Sequence, residues 1–401
     1  MTIDNSFIDD LIKGTNIEKS DESSLMNNSN RPKIKHPLQV INCITGGGIP
    51  MTLQTEFSGP PQSGKTAGAY TMLASYLEDN PNGIGLVIDT EGSMDVSHLV
   101  NIGVDLNRTL RVPASSIEEG FASMFVMFNK LIEKKKENPD ISIMVIFDSI
   151  SAGGTEKQHI ATEKGESAFG VGTVAELPRI LKQNTSNVFP YIEKLPILII
   201  YINQVSTTGI GNYITKVESI GGYGFKHNLQ FSLIYGTPKD EYENNFISGT
   251  TCKVEMKKSK ICPKFKDIPC RIDAHNGGQI DEVWSFFEYV SDPNVGIIKT
   301  GSWYSMSDTM DKVIETYPNI LENQIIKNKI EIYKKNMRKA DMLNLLRTDS
   351  DLYLLLQIRL IDIIDEIYPL QREVNGDYQK ELIKKCRFFD STEIEKYEKT
   401  I

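Results

Sequence analysis

The β-prone run Leu53–Phe57 leads straight into Gly59-Pro60-Pro61-Gln62-Ser63-Gly64-Lys65-Thr66, and a helix-forming stretch follows from Ala67 to Leu77. Two glycines separated by four residues, then Lys-Thr, set between a strand and a helix, are the signature of a phosphate-binding loop. Gly64 lets the backbone approach an anion with no Cβ in the way, while the loop amides and the helix N-terminus point at the same spot. Gly59, Pro60, Gln62, Ser63, Gly64 and Ala67 then form the cradle. Lys65 supplies charge for the β- and γ-phosphates, and the Thr66 hydroxyl is a ligand for Mg2+. The spacing predicts an ATP site with Mg2+ as its companion ion.

Four further apolar runs, Ile84–Ile88, Ile143–Phe147, Ile197–Ile202 and Leu229–Tyr235, share the centre of the chain with helical patterns such as Ile117–Glu133. Strands apolar on both faces predict an α/β fold, a mostly parallel sheet covered by helices on each side. Ligands in such sheets bind beyond the carboxyl ends of the strands. There the runs give way to Asp89-Thr90-Glu91, Asp148-Ser149 and Asn203-Gln204. Asp148 reads as a carboxylate for Mg2+, Glu91 as the group that polarises the attacking water, and Gln204 as a sensor of the γ-phosphate. Each alone is an ordinary turn former. Together at one sheet edge they make a coherent phosphoryl-transfer site.

Composition bounds the rest. With 401 residues, 40% of them apolar and 24% charged, the chain has the makeup of a soluble protein with a sizeable core. A net charge of −9 argues against coating nucleic acid over the whole surface, although a local groove remains compatible with it. Five cysteines at no zinc-ligand spacing read as reduced thiols in a cytoplasm. Asp4, Asp9 and Asp10 with no apolar core are unlike a secretory signal, and the run Leu195–Ile202 is too short for a membrane span. Residues 1–34 combine a short apolar face, Phe7, Leu11 and Ile12, with the polar stretch Ser20–Asn30. That pattern suits either a tethered hook for a neighbouring molecule or a frayed terminus. After a core over 35–305, the pattern turns helical, and Asp351–Tyr368 stops before Pro369, so 306–401 is expected to be a C-terminal helical domain.

The order and spacing of these segments resemble the bacterial RecA recombinases and their phage relatives over roughly residues 36–305. The resemblance lies in Pro37–Pro50, in the ATP loop, in Asp89-Thr90-Glu91 with Asp95 and Asn101–Asp105 behind it, and in Gly221-Gly222-Tyr223-Gly224-Phe225-Lys226. It implies Glu91 as general base and places Asp95 and His98 near the adenine. It also implies that the stretch Val205–Ile220 contacts single-stranded DNA, through Tyr213 as an aromatic wedge, Lys216 as a phosphate contact and the Gly221-Gly222 turn. A second DNA-binding loop falls around Lys164–Gly172, with Phe169 and Gly170 at its centre. Lys253–Lys260 resembles the family segment whose lysines, here Lys258 and Lys260, reach the ATP of the neighbouring subunit. The implied protein is a DNA-dependent ATPase. It assembles as a helical filament on single-stranded DNA, receives duplex DNA for homologous pairing, and works with loading or single-strand-binding proteins in a bacterial cytoplasm.

Two observations keep other readings open. Val205–Ile220 holds one lysine and one glutamate, and Glu163 and Glu166 flank Lys164, so neither loop is strongly basic. A RecA-fold hexameric helicase or DNA-packaging motor would share the ATP loop and the trans-acting lysines. A non-catalytic assembly protein would use nucleotide only as glue. The basic run Lys327, Lys329, Lys334, Lys335, Arg338 and Lys339 is interleaved with Ile326, Ile330, Tyr333 and Met337. It reads first as a solvated amphipathic helix and second as a duplex-DNA surface.

Overall fold

The computed structural model describes residues 31–389 apart from 93, 165–175, 211–212 and 266, and leaves out the side chains of 207–210 and 213–216. Phe7, Leu11, Ile12, Phe169 and Gly170, and the side chains of Tyr213 and Lys216, therefore lie outside the described residues. Five longer strands come first: Leu53–Ser58 (β1), Gly83–Asp89 (β2), Thr109–Pro113 (β3), Ser142–Asp148 (β4) and Ile197–Asn203 (β5). A hairpin follows, Val205–Ile210 (β6) and Tyr213–Ser219 (β7). The next strands are Phe231–Tyr235 (β8), Lys239–Glu243 (β9), Phe246–Ser259 (β10), Ile268–Asp273 (β11) and Gln279–Ile280 (β12).

All of these but the hairpin join one sheet in the order β12-β11-β10-β8-β1-β5-β4-β2-β3, with β9 added on β10, while Lys33–Ile34 with Ile49–Pro50 and Ile298–Thr300 with Trp303–Ser305 form two separate short pairs. From β8 to β3 every pairing is parallel. The strands beyond β8 continue antiparallel. The expected mostly parallel α/β sheet is thus the centre of the molecule, and an antiparallel extension lies on the P-loop side.

Alternation inside the apolar runs decides which helices cover which face. Ile143, Val145 and Phe147 of β4 and Ile197, Ile199 and Tyr201 of β5 join one cluster with Phe121, Met124 and Phe128 of Ile117–Lys134. Met144 and Ile146, with Leu198 and Ile200, join the opposite cluster with Leu73 and Tyr76 of Lys65–Asp79. We name the helices Gln39–Thr45 (α1), Lys65–Asp79 (α2), Val96–Ile102 (α3), Ile117–Lys134 (α4), Glu156–Glu163 (α5), Glu176–Asn187 (α6) and Gly222–Asn228 (α7). Ser116 caps α4 through its hydroxyl, Thr155 caps α5 and Asp95 caps α3.

After Glu282–Val290 (α8) come Ser307–Thr316 (α9), Gln324–Tyr333 (α10), Lys339–Thr348 (α11), Ser350–Ile367 (α12) and Gln371–Lys385 (α13). Their apolar faces belong to the same buried cluster as α1 and α2. Polar contacts reinforce the joint: Gln39 Nε2 donates to Gln357 Oε1 at 2.7 Å and to the Tyr378 hydroxyl at 2.6 Å. In α10, Ile326, Ile330 and Tyr333 are buried, as the helical spacing predicts. The basic residues around it are partly neutralised. Lys329 pairs with Asp349 and Asp351, Lys334 with Asp311, and Lys339 with Glu288.

Two sequence expectations shift in detail. Val205–Ile220, read as a loop, pairs with itself as the β6–β7 hairpin. Leu229 ends α7 as its C-cap, and the strand begins at Phe231.

Candidate functional site

The parallel register sets the site. Ser58 stands beside Asn203 and Asp89 beside Asp148, and the Gly59 amide donates to the Asn203 carbonyl at 3.2 Å. The P-loop, Gln204, Asp148 and Glu91 therefore leave the same carboxyl edge, in the strand order β1, β5, β4, β2.

Unlike its capped neighbours, α2 begins at Gly64 with no side-chain cap, so its first amides are free for an anion. Gly64 has φ +91°, and a Cβ there would come within 2.8 Å of Ile272. A Cβ on Gly59 would meet the Tyr235 carbonyl at 2.6 Å. Ser63 Oγ is buried and has no hydrogen-bond partner among the described residues. Among the described residues, Lys65 Nζ hydrogen-bonds back to the Pro60 carbonyl at 3.1 Å and pairs with no carboxylate. Burial holds the Lys65 ammonium below the usual lysine range, against the pull of Asp148 and Glu91. An uncapped helix start, a cradle closed to Cβ atoms and an unmatched cation together fit a bound polyphosphate.

Beside this cradle, Thr66, Tyr70, Met94, Asp95, His98, Leu99 and Asp148 line a cavity of about 210 Å³. Burial pushes the Asp148 carboxyl up to about 7, with the nearby Glu91 charge adding to the rise and Lys65 opposing it. A desolvated carboxylate facing a threonine hydroxyl is a donor set for a hard cation that keeps other oxygen ligands. Among the described residues no group of three or more His, Cys, Asp or Glu is arranged to hold a metal, so Mg2+ here would depend on phosphate and water for its remaining ligands. His98 lines this cavity and also a second, of about 500 Å³, that includes Gln62, Gly64, Lys65, Thr66 and Ala67. Asp95 lines the smaller cavity too, while its carboxylate caps α3 by accepting from the Ser97 amide.

Glu91 is exposed, but one of its oxygens is held: Ser149 Oγ donates to Oε1 at 2.7 Å. Ser149 Oγ lies 3.2 Å from Ser151 Oγ, which accepts from the Gln204 amide at 3.3 Å. The two serines bridge Glu91 and Gln204. The turn carrying Glu91 is fixed from below by Asp89, whose Oδ1 accepts from the Gly92 amide and whose Oδ2 is bound by Arg111 at 2.6 and 3.0 Å. Burial raises the Asp89 carboxyl, yet the Arg111 hydrogen bonds and charge outweigh it and hold the group below the usual range. Ser149 stood in the sequence next to Asp148 without a role. Arg111, on edge strand β3, carried no signal there at all.

Lys258 and Lys260 line neither of these cavities. They border a larger one, about 1020 Å³, on the far side of β1, with Glu56, Tyr223, Lys226 and Lys257. Lys258 Nζ donates to the Lys226 and His227 carbonyls, both at 2.8 Å, at the C-terminal end of α7. Burial and the neighbouring Lys260 charge hold Lys258 below the usual lysine range. Gly221 and Gly222 start α7, where the hairpin returns to the sheet.

The RecA N-terminal domain family matches residues 30–278, which span every site residue named above. The chain belongs to the RecA family. It is similar to Protein RecA of Nautilia profundicola, 27% identical over 264 residues that cover 66% of this chain and 70% of that protein. Protein RecA of Clostridioides difficile is likewise 27% identical over 266 residues, covering 66% and 70%. Protein RecA of Chlorobium chlorochromatii is 25% identical over 293 residues, covering 73% and 77%. The helices from α8 onward lie past the match to the RecA N-terminal domain family. No helix among the described residues is long and apolar enough to cross a membrane.

Proposed function

We propose that this RecA-family chain is a DNA-dependent ATPase that binds ATP with Mg2+, polymerises on single-stranded DNA and promotes homologous pairing and strand exchange. The observation that carries this reading is the single sheet edge that holds the uncapped α2 N-terminus, Asp148, Glu91 and Gln204, with a hairpin springing directly from Gln204. The Gly64–Thr66 backbone and Lys65 hold the phosphates, and Thr66 with Asp148 holds Mg2+, which when bound supplies charge neutralisation. Glu91, with Oε1 fixed by Ser149, presents Oε2 to accept a proton from water. Gln204 faces the same edge from β5 and reports the γ-phosphate to the hairpin. Lys258 and Lys260, on the opposite flank of β1, complete the site of an adjacent subunit in the filament.

In this reading 1–34 hook neighbouring subunits, 35–305 form the ATPase and DNA body, and 306–401 form an accessory helical part. Tyr213, Lys216, Phe169, Gly170, Gly221 and Gly222 contact DNA. Duplex DNA and loading proteins are the further partners, in a bacterial cytoplasm. The test is ATP turnover with and without single-stranded DNA over a salt series, paired with electron microscopy. Stimulation that weakens as salt rises, together with filaments, is the expected result. Closed rings, or turnover indifferent to DNA, would overturn it.

A further inference from the structure

Glu56 sits inside β1, upstream of the P-loop, and is only 2% exposed. Its carboxylate is fully engaged. Asn203 Nδ2 donates to Oε1 at 2.7 Å, Ser232 Oγ donates to Oε2 at 2.9 Å, and the Ser219 side chain also bonds to it. Asn203 spends its second amide hydrogen on the Ile220 carbonyl at 2.7 Å, while its Oδ1 accepts from the Gln204 amide at 2.8 Å. The Ile220 amide in turn donates to the Gln204 carbonyl at 3.2 Å, closing the base of the hairpin. Ser232 is the register partner of Lys258 on β10.

One buried carboxylate therefore binds three things: the residue preceding the nucleotide sensor, the exit of the β6–β7 hairpin, and the strand beside the Lys258 strand. Burial alone drives the Glu56 carboxyl upward, and its hydrogen bonds from Asn203, Ser219 and Ser232 together with the Lys226 charge pull it back. For stability alone an apolar side chain would serve as well at this depth, because desolvating a carboxylate offsets most of what its partners return. What a satisfied buried network supplies instead is a single geometry.

We infer that Glu56 is a positioning residue that transmits the state of Gln204 to the hairpin. By clamping Asn203, it makes a displacement of Gln204 move Asn203 together with Ile220, so the strand end cannot absorb the motion. The inference rests on the proposal that Gln204 senses nucleotide and the hairpin contacts DNA. Its core, coupling between nucleotide and hairpin, is measurable without DNA.

Hydrogen exchange of the segment 217–222 is compared with and without Mg2+ and a non-hydrolysable ATP analogue, in wild type and Glu56→Gln. Wild type is expected to show nucleotide-dependent protection there. Glu56→Gln is expected to lose it by about tenfold while its nucleotide affinity stays within about twofold. Ser232→Ala, which keeps the Asn203 bond, should fall between them, and it carries the test if thermal melting shows that Glu56→Gln does not fold. Equal protection in wild type and the variants overturns the inference, as does a wild-type hairpin exit that ignores nucleotide. A parallel titration of single-stranded DNA by fluorescence anisotropy reads the proposed use. Coupling by exchange with no DNA binding in wild type would leave the Glu56 role standing and sink the DNA-dependent function instead.

Discussion

The two flanks of β1 carry opposite chemistry. On one side the cavity of Thr66, Tyr70 and Asp148 is small and acidic, with a carboxyl raised by desolvation and the Lys65 charge acting on it from the adjoining cavity. On the other the cavity is several times larger and basic, lined by Lys226, Lys257, Lys258 and Lys260 above the buried Glu56. On the basic side Lys226 is paired with Glu218 and Lys257 with Glu255, whereas Lys258 binds the α7 carbonyls and Lys260 lines the same wall. In the proposed filament the lysine-bearing flank of one copy would meet the P-loop flank of the next.

The largest expected effect tests that stacking. Lys258→Ala should cut turnover by about 10³-fold or more if its charge acts across an interface as an arginine finger does. Lys258 also caps the C-terminal end of α7 through two carbonyls, so a fall in activity alone does not separate the two roles. Mixing Lys258→Ala with Lys65→Ala subunits does separate them. Interfaces that join an intact P-loop to an intact Lys258 should regain activity, and no recovery at any ratio would leave the lysine as a helix cap.

Next in size, Glu91→Gln should lower kcat by about 10²–10⁴-fold with nucleotide affinity little changed. Unchanged turnover would move the base elsewhere on the acidic flank.

Arg111→Met leaves the Asp89 carboxylate without its main partner, although the half-exposed arginine limits the loss. A destabilisation of about 1–3 kcal/mol is expected, read as a drop in denaturation midpoint, with slower turnover because the Glu91 turn loosens. An unaffected midpoint would mean that solvent replaces Arg111 at no penalty.

A last effect is one of pH. Asp148 is raised to about 7 in the fold, whereas an unfolded aspartate titrates near about 4. Between these values the unfolded chain releases a proton that the folded one retains, so without nucleotide the contribution of Asp148 to stability falls as pH rises through the window and levels off above about 7. Asp148→Asn should therefore gain on wild type in melting temperature over that window and keep a constant lead above it. A lead independent of pH would contradict the desolvation of the acidic flank.

How much of this was written in the sequence depends on range. The P-loop was legible because its parts are contiguous, and Glu91, Asp148 and Gln204 were legible because each ends an apolar run. Lys258 and Lys260 were visible by resemblance, but their place across β1 from the P-loop was not. The contacts that organise these groups join distant positions: Glu56 with Asn203, Asp89 with Arg111, Ser151 with Gln204. Within Leu53–Ser58, Glu56 looks like one polar residue in an amphipathic strand, although all six positions are buried. Only the sheet order, with β5 next to β1, brings an amide to that carboxylate. The hairpin was missed as strand because Gly209 and Gly211 mark a turn or an open loop equally well.

The joint between α1 and the C-terminal helices bears on how the chain is made. Gln39 finds Gln357 and Tyr378 across sequence separations of 318 and 339 residues. At a synthesis rate of about 5–20 residues per second, the apolar face of α1 waits about 15–70 seconds on the ribosome for its cover. During that interval the apolar face of α1, with Val40, Ile41 and Ile44, has only part of its final cover, which α12 and α13 complete.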